Sequence, residues 1–214
     1  MNILRRPERA TLSALNLTRR GVPKQHHFLE LSDLHDFGNE GRRQVIEYVQ
    51  NYCTNLDEAF YYNKGIMLYG SNGVGKTTIA SLIVKTAYKK RYTSMRCTYV
   101  DYMREYTRIW DIKDINAKEE AQDLFYHNYK GVEFLVLEEV GKEVDSKLSP
   151  VILEDLLRFR EDQGLPTIIC SNLLPSEIMN KYGASVGSLL KGNFTPLELV
   201  GVDKRPNSYR ERGE

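Results

Sequence analysis

A glycine-rich loop that ends in lysine and threonine is the clearest chemical signal in this sequence. Residues 70–77 read Gly-Ser-Asn-Gly-Val-Gly-Lys-Thr, and Thr78 follows. In such a loop the backbone N–H groups turn inward around a polyphosphate, the lysine reaches the β- and γ-phosphates, and the first threonine hydroxyl binds Mg²⁺. The motif predicts a site for ATP or GTP, formed by Gly70, Ser71, Asn72, Gly73, Val74, Gly75, Lys76, Thr77 and Thr78.

The residues on either side of this loop have the patterns that the motif requires. Residues 66–69 form an apolar run that indicates a buried strand. Residues 78–90 place apolar side chains at helical spacing, and the N-terminus of such a helix adds its positive dipole end to the phosphate site. A chance glycine-rich turn is therefore the weaker interpretation.

Two adjacent carboxylates follow a second apolar run. Residues 134–139 read Phe-Leu-Val-Leu-Glu-Glu. In phosphate-loop enzymes the first acid at such a strand end holds the Mg²⁺ shell, and a second acid can polarise the attacking water. We therefore predict Glu138 as the metal carboxylate and Glu139 as the catalytic base. A solubilising role is less favoured, because an apolar strand does not need two charges at its end.

A polar pair ends a third apolar run. Residues 167–170 are followed by Ser171 and Asn172. If this strand lies beside the phosphate-loop strand, the Asn172 amide can reach the γ-phosphate or the attacking water. An asparagine that merely forms a turn is the alternative. Together with the glutamate pair, the functional interpretation is preferred, so Lys76, Glu139 and Asn172 are the predicted catalytic residues.

The composition is typical of an ordinary soluble globular protein. The chain has 214 residues, 41% of them hydrophobic and 28% charged, with a net charge of +1. It contains no apolar run of membrane-spanning length, and its three widely spaced cysteines resemble buried, reduced thiols, with zinc binding a minor alternative. We expect one main domain in a cytoplasmic protein without a membrane partner.

The elements that must position these residues alternate between strand and helix. Predicted strands cover residues 65–69, 96–100, 134–138, 167–171 and 197–200, and predicted helices cover 8–20, 41–53 and 78–90. Four of the strands are continuously apolar, which suits strands buried on both faces of a parallel sheet. The pattern predicts an α/β protein with a five-stranded parallel sheet between two layers of helices.

A further helix with clear end signals lies between the third and fourth strands. Ser149 is the predicted N-cap, Pro150 the first helical residue and Gly164 the C-terminal stop. Its buried face is predicted to contain Ile152, Leu153, Leu156, Leu157 and Phe159.

Three motifs in this order resemble those of a known family. The phosphate loop is followed by Glu-Glu-Val-Gly at 138–141 and by Leu-Pro-Thr-Ile-Ile-Cys-Ser-Asn-Leu at 165–173. Over about residues 21–205 the chain resembles AAA+ ATPases of the DnaC/DnaI helicase-loader family, and IstB-type transposition helpers share much of the pattern. The resemblance implies an AAA+ (ASCE) P-loop fold without a C-terminal helical lid, in a bacterial or phage protein.

The resemblance also implies a function. The chain would use ATP and Mg²⁺ to load a hexameric replicative helicase onto single-stranded DNA during replication initiation, while associating with itself in a ring or spiral. Residues 1–36 would be a short partner-binding segment, and residues 37–214 the AAA+ ATPase domain. Residues 70–78 match Walker A, Glu138 and Glu139 match Walker B, Asn172 matches sensor 1, and Arg205 falls near a sensor 2 arginine.

The chain departs from the family pattern at two positions in the site. The usual metal-binding acid is aspartate, whereas this chain has Glu138. The family places an arginine finger in the segment that matches residues 182–190, and no arginine occurs there. Either Arg158, Arg160 or Lys191 takes that role, or activation by a neighbouring subunit is weak.

The region after the second strand is where the family contacts single-stranded DNA. Tyr102, Tyr106 and Trp110 form one helical stripe, with Arg104 and Arg108 on an adjacent one. Arginines and aromatic rings suit sequence-independent binding of phosphates and bases. The aromatic residues are better explained as packing on the sheet, so Arg104 and Arg108 are the predicted DNA contacts.

Three other functions remain open at this stage. An IstB-type transposition helper has the same fold and motifs. A nucleotide-gated DNA- or partner-binding protein with little hydrolysis would tolerate Glu138 and a missing finger. A nucleoside monophosphate kinase fits the length and the Gly-Lys-Thr-Thr sequence, but it would not need the glutamate pair or Asn172.

Overall fold

The centre of the molecule is a parallel sheet. In a computed structural model, which describes residues 12–144 and 146–201, the sheet has five strands in the order β2-β3-β4-β1-β5. They are β1 (Gly65–Tyr69), β2 (Ser94–Thr98), β3 (Phe134–Val140), β4 (Thr167–Ser171) and β5 (Phe194–Glu198). Every neighbouring pair is parallel, which confirms the predicted sheet.

Helices cover both faces of this sheet. They are α1 (Ala14–Arg19), α2 (Glu40–Thr54), α3 (Leu56–Tyr61), α4 (Lys76–Lys89), α5 (Tyr99–Arg108), α6 (Ile115–Phe125), α7 (Leu148–Asp162), α8 (Pro175–Tyr182) and α9 (Ala184–Asn193). Buried residues of α1 to α4 form one hydrophobic cluster with the sheet, and those of α5 to α9 form the other. The three-layer α/β architecture is confirmed.

Alternation along the central strands explains the continuous apolar runs. In β1, Ile66 and Leu68 belong to the cluster with α4, whereas Met67 belongs to the cluster with α7. All three side chains are at most 1% exposed. Because successive side chains point to opposite faces, a strand covered on both sides must be apolar at every position.

Two of the predicted strands differ from the observed strands in where they begin and end. β2 ends at Thr98 because the Thr98 side chain accepts a hydrogen bond from the backbone of Asp101 and caps α5. The predicted strand at 197–200 begins three residues earlier, at Phe194, because pairing with β1 starts at Gly65. In both cases a long-range or capping contact, rather than the apolar run, sets the strand end.

The start of α7 was also predicted wrongly. The helix begins at Leu148, and the Ser146 hydroxyl accepts hydrogen bonds from the backbone N–H groups of Leu148 and Ser149 at 3.2 and 3.1 Å. The Ser149 hydroxyl instead donates to Glu143 Oε1 at 3.0 Å. Four of the five predicted core residues are buried, but Phe159 is only half-buried.

The N-terminal segment packs on the core rather than lying apart from it. Leu17 of α1 and Val22 are each 2% exposed and belong to the hydrophobic cluster around α4. Of the predicted helix at 8–20, α1 covers residues 14–19, and residues 8–11 lie outside the described part. The segment before residue 37 therefore contributes side chains to the core, and the boundary at residue 36 stays a prediction.

The cysteines are buried, as predicted. Cys53, Cys97 and Cys170 are free thiols, and burial raises the pKa of Cys53 and of Cys97 to about 12. Among the described residues, no helix combines the length and the apolar character needed to cross a membrane. Arg205 and the predicted absence of a helical lid concern positions beyond residue 201, outside the described residues.

Candidate nucleotide-binding site

The glycine-rich loop joins β1 to α4 at the carboxyl end of the sheet. Gly70 has a φ of 141°, and a Cβ there would lie 2.4 Å from the carbonyl oxygen of Leu199. Gly75 caps α4 with a φ of 105°, a left-handed conformation that favours glycine. The loop therefore requires glycine at these positions for its backbone path.

Lys76 stands at the first position of α4. Its ammonium donates to the carbonyl oxygens of Gly70 and Ser71, both at 2.7 Å. These contacts hold the Lys76 side chain over the loop. Its ammonium therefore lies near the N-terminus of α4, which is the positive end of the helix dipole.

A cavity of about 270 Å³ opens beside the loop. Most of the predicted site residues line this cavity, namely Asn72, Gly73, Gly75, Lys76, Thr77, Thr78, Glu138, Glu139 and Asn172. It also contains residues that the sequence did not single out as site residues, namely Gln25, His26, Lys142, Cys170 and Ser171. Val74 is buried behind the loop, where its carbonyl oxygen accepts from Arg42 at 2.6 Å.

The two adjacent glutamates occupy different environments because β3 is irregular where they lie. Leu137 pairs with Ile169, but Val140 pairs with Ser171, so β3 carries one extra residue over this stretch. Glu138 is 3% exposed, whereas Glu139 is exposed with a φ of 59°. A left-handed conformation at a residue other than glycine is strained, and such strain is concentrated at functional sites.

Each glutamate has its own cationic partner. Glu138 Oε2 pairs with the guanidinium of Arg96 on β2, and Glu138 Oε1 is buried with no hydrogen-bond partner among the described residues. Glu139 Oε1 lies 2.8 Å from the ammonium of Lys142. The buried carboxylate thus retains one oxygen for a further ligand.

The two polar residues at the end of β4 have different roles, because Ser171 holds two strands together and Asn172 lies at the candidate site. The Ser171 hydroxyl donates to the carbonyl oxygen of Val140 at 2.6 Å, which ties β4 to the end of β3. The side-chain nitrogen of Asn172 lies 2.8 Å from Oδ1 of Asn72 in the glycine-rich loop. Asn172 therefore lies against the loop, as expected if β4 is next to β1.

Comparisons with known proteins agree with this arrangement. Over 148 residues, 69% of this chain, the sequence is 26% identical to the replicative helicase loader DnaI of Bacillus subtilis (strain 168). The crystal structure of the DnaC helicase loader matches with a TM-score of 0.70 and 19% identity, covering 83% of this chain and 100% of that one. The chain therefore resembles DnaI in sequence and shares its fold with the DnaC helicase loader.

A structure of the replication initiator DnaA bound to AMPPCP and single-stranded DNA is also similar to this DnaC/DnaI-like chain. Its TM-score is 0.66 at 19% identity, and the match covers 85% of this chain and 51% of that one. The chain spans 45% of the length of the curated DnaI relative that it matches. No family model matches the sequence.

The N-terminal segment of the DnaC/DnaI-like chain contributes a buried histidine. His26 Nδ1 lies 2.9 Å from the Ser81 hydroxyl, and Nε2 lies 3.4 Å from the Thr78 hydroxyl. Burial lowers the pKa of His26, and the nearby charges of Arg96 and Lys85 lower it further. The only local signal was the Gly-Val-Pro turn before it, because the contact with Ser81 spans 55 residues.

Arg160 is wrong as a candidate for the arginine finger. It is 1% exposed, and its guanidinium donates to the Thr167 hydroxyl at 2.7 Å and to three backbone carbonyl oxygens. Those carbonyls belong to Lys130, Val132 and Pro166. Burial lowers the pKa of Arg160 to about 9. A side chain with this role in packing cannot extend to a neighbouring subunit.

Arg158 is placed differently, two residues earlier on α7. Its side chain is 55% exposed and pairs with Glu154 at 2.9 Å. It also donates to the Ser185 hydroxyl on α9 at 2.6 Å. Ser185 lies in the segment 182–190, where the family resemblance expects an arginine. Lys191, the third candidate, is exposed at the end of α9.

The predicted DNA-contact region divides into packing and surface residues. Tyr102 is 1% exposed and lies 5.1 Å, centroid to centroid, from Phe125 of α6. Arg104 and Arg108 are 67% and 71% exposed, and they pair with Asp101 at 2.8 Å and Glu105 at 3.5 Å. Tyr102 therefore packs in the core, whereas Trp110 at the other end of the stripe is 50% exposed. The two arginines remain accessible in weak surface ion pairs.

The donor set fits a nucleoside triphosphate with a divalent cation. Lys76 and the N-terminus of α4 supply positive charge to the cavity. Thr77 lines the cavity beside them. The orphaned Oε1 of Glu138 supplies the anionic oxygen that a hard cation prefers.

Proposed function

We propose that this DnaC/DnaI-like chain is an ATPase that helps to load a hexameric replicative helicase onto single-stranded DNA. The observation that carries the proposal is the meeting of Lys76, Glu138, Glu139 and Asn172 around one cavity. These residues come from the ends of two strands, β3 and β4, and from the start of α4, so only the folded sheet assembles them. The similarity to DnaI and DnaC supports the loader role.

Each residue of the site has a separate task. Lys76 would bind the β- and γ-phosphates, and the Thr77 hydroxyl and the Glu138 carboxylate would hold Mg²⁺. When bound, Mg²⁺ neutralises phosphate charge and so favours attack at the γ-phosphate. Glu139 accepts a proton from the attacking water, and Asn172 orients that water or the γ-phosphate. Lys142, whose ammonium lies 2.8 Å from Glu139 Oε1, holds the base in position.

Hydrolysis is completed by a second copy of the chain. We assign the arginine supplied in trans to Arg158, which is exposed and lies against Ser185 on α9. An arginine that contacts the γ-phosphate contributes about 10³–10⁵ in rate, so an isolated subunit turns over slowly. Association into a ring or spiral then makes turnover depend on assembly.

The remaining partners are assigned to the surface. Arg104 and Arg108 contact the phosphates of single-stranded DNA, whose binding is independent of sequence and sensitive to salt. The helicase contacts residues 1–36, where Phe28 is 92% exposed and offers an apolar side chain for the contact. These events take place in the cytoplasm.

A loading assay tests the proposal. The chain, the replicative helicase from the same organism and circular single-stranded DNA are mixed with ATP, and helicase recovered on DNA is measured. We expect loading that is lost with Lys76→Ala and reduced with Phe28→Ala. Co-purification with a transposase and no effect on helicase recovery would instead identify an IstB-type transposition helper.

A further inference from the structure

Arg96 is a largely buried charged residue in the middle of β2, which lies at one edge of the sheet. It stands on β2 with its side chain 14% exposed, and β2 pairs with β3 so that Arg96 lies opposite Val136. One guanidinium nitrogen, Nη2, pairs with Glu138 Oε2. The other, Nη1, donates to the carbonyl oxygen of Gly21 at 2.5 Å. This side chain therefore links the metal carboxylate to the N-terminal segment.

The turn at residues 20–22 fixes Arg96 from the other side. The backbone N–H of Arg96 donates to the carbonyl oxygen of Arg20 at 3.0 Å. Gly21 has a φ of 72°, and a Cβ there would lie 1.9 Å from the carbonyl oxygen of Arg96. The turn is pressed directly against β2, so the guanidinium has little freedom to leave Glu138.

Glu138 is shared between this guanidinium and its free oxygen. Oε2 is occupied by Arg96, and Oε1 is buried without a partner among the described residues. Glutamate is one methylene longer than the aspartate usual at this position, and this extra length brings the carboxylate within reach of Arg96. An aspartate at position 138 would hold its carboxylate closer to the β3 backbone and farther from Arg96.

We propose that Arg96 is a positioning residue that sets the divalent-cation requirement of the site through Glu138. The proposal rests on the nucleotide site described under the proposed function. The positive guanidinium beside the carboxylate offsets part of the negative charge that attracts a cation. Half-saturation of the site therefore requires a higher cation concentration than it would at a site whose acid has no such partner. The same guanidinium makes that requirement depend on the turn at residues 20–22.

Cation binding can be measured without hydrolysis. Free Mn²⁺ is followed by its electron paramagnetic resonance signal while it is titrated into protein saturated with a non-hydrolysable ATP analogue. The variants are Arg96→Met, Glu138→Asp and the double variant, and Arg43→Met is a control because Arg43 lies in an exposed ion pair with Asp36. Thermal denaturation of each variant reports folding, and a fluorescent ATP analogue in EDTA reports nucleotide binding alone.

We expect Arg96→Met to lower the half-saturating Mn²⁺ concentration at least about threefold, which is the size of effect measured between residues in direct contact. Arg43→Met should leave this concentration unchanged. Glu138→Asp should lower it as well, and adding Arg96→Met to that variant should have no further effect. An unchanged or higher concentration in Arg96→Met overturns the proposal, while nucleotide binding in EDTA leaves the proposed function intact. If Arg96→Met shows no cooperative melting, Glu138→Asp decides in the same way. If the wild-type chain binds no nucleotide in EDTA or with Mn²⁺, both are overturned.

Discussion

The side-chain nitrogen of Asn172 lies 2.8 Å from the side-chain oxygen of Asn72, which joins the end of β4 to the glycine-rich loop. The two residues are separated by 100 positions in the chain, and they meet because β4 and β1 are neighbours in the sheet. A movement of Asn72 would therefore change or break its hydrogen bond with Asn172. This contact gives the site a direct link between the phosphate loop and the residue proposed to orient the water.

Replacing Lys76 by alanine should abolish nucleotide binding or weaken it strongly. The ammonium is the main fixed positive charge beside the loop, and its loss leaves the phosphates with backbone N–H groups alone. Titration with a fluorescent ATP analogue measures the effect. Unchanged affinity would refute the assignment of the loop.

Replacing Glu139 by glutamine should preserve nucleotide binding and eliminate hydrolysis. The amide keeps the shape of the side chain, but it cannot accept a proton from water. Binding and phosphate release are measured on the same preparation. Turnover at the wild-type rate would mean that the catalytic carboxylate lies elsewhere.

The two arginines of α7 should respond in opposite ways to substitution. Arg160→Ala removes a buried guanidinium and its hydrogen bonds to three backbone carbonyl oxygens, two of them buried, so we expect a loss of about 3 kcal/mol or more in the free energy of unfolding. Arg158→Ala should leave stability nearly unchanged and lower the DNA-stimulated hydrolysis rate. Urea denaturation and a phosphate-release assay separate the effects. A normal stimulated rate in Arg158→Ala would show that the trans-acting arginine is not Arg158.

Packing of the N-terminal segment can be tested within a single helix. Leu17 is 2% exposed and Leu15 is 59% exposed, and both lie on α1. Leu17→Ala should lower the free energy of unfolding by about 2–4 kcal/mol, and Leu15→Ala by less than about 0.5 kcal/mol. Equal effects in chemical denaturation would mean that α1 does not pack on the core in solution. Deletion of residues 1–36 should likewise destabilise the chain.

Stability should fall as the pH drops below about 6.5, in part because of His26. Its pKa is lowered in the folded state, first by burial and then by Arg96 and Lys85, so the unfolded chain binds the proton more readily. His26 therefore favours folding above its unfolded pKa and loses this contribution as the pH falls. His26→Asn should show a smaller loss of stability between pH 7.5 and pH 5.5. An equal loss of stability between the two pH values in the wild-type chain and in His26→Asn, measured by denaturation, would contradict this account.

Much of the site could be predicted because its signals are local. The glycine-rich loop, the strand before it and the helix after it are contiguous, and each has a spacing that one kind of structure requires. The glutamate pair and Asn172 were found because polar residues directly follow apolar strands. Parallel strands place such ends at one edge of a sheet, so a correct fold class was sufficient to bring them together.

Only the tertiary structure showed which charged side chains are buried and which groups they contact. Arg158 and Arg160 are the same residue type two positions apart on one helix, yet one faces solvent and the other is enclosed by backbone carbonyls. The Arg96–Glu138 pair depends on the register between β2 and β3, and the placement of His26 depends on a contact with Ser81 across 55 residues. Such contacts have no local pattern, because they depend on which strands and loops become neighbours after folding.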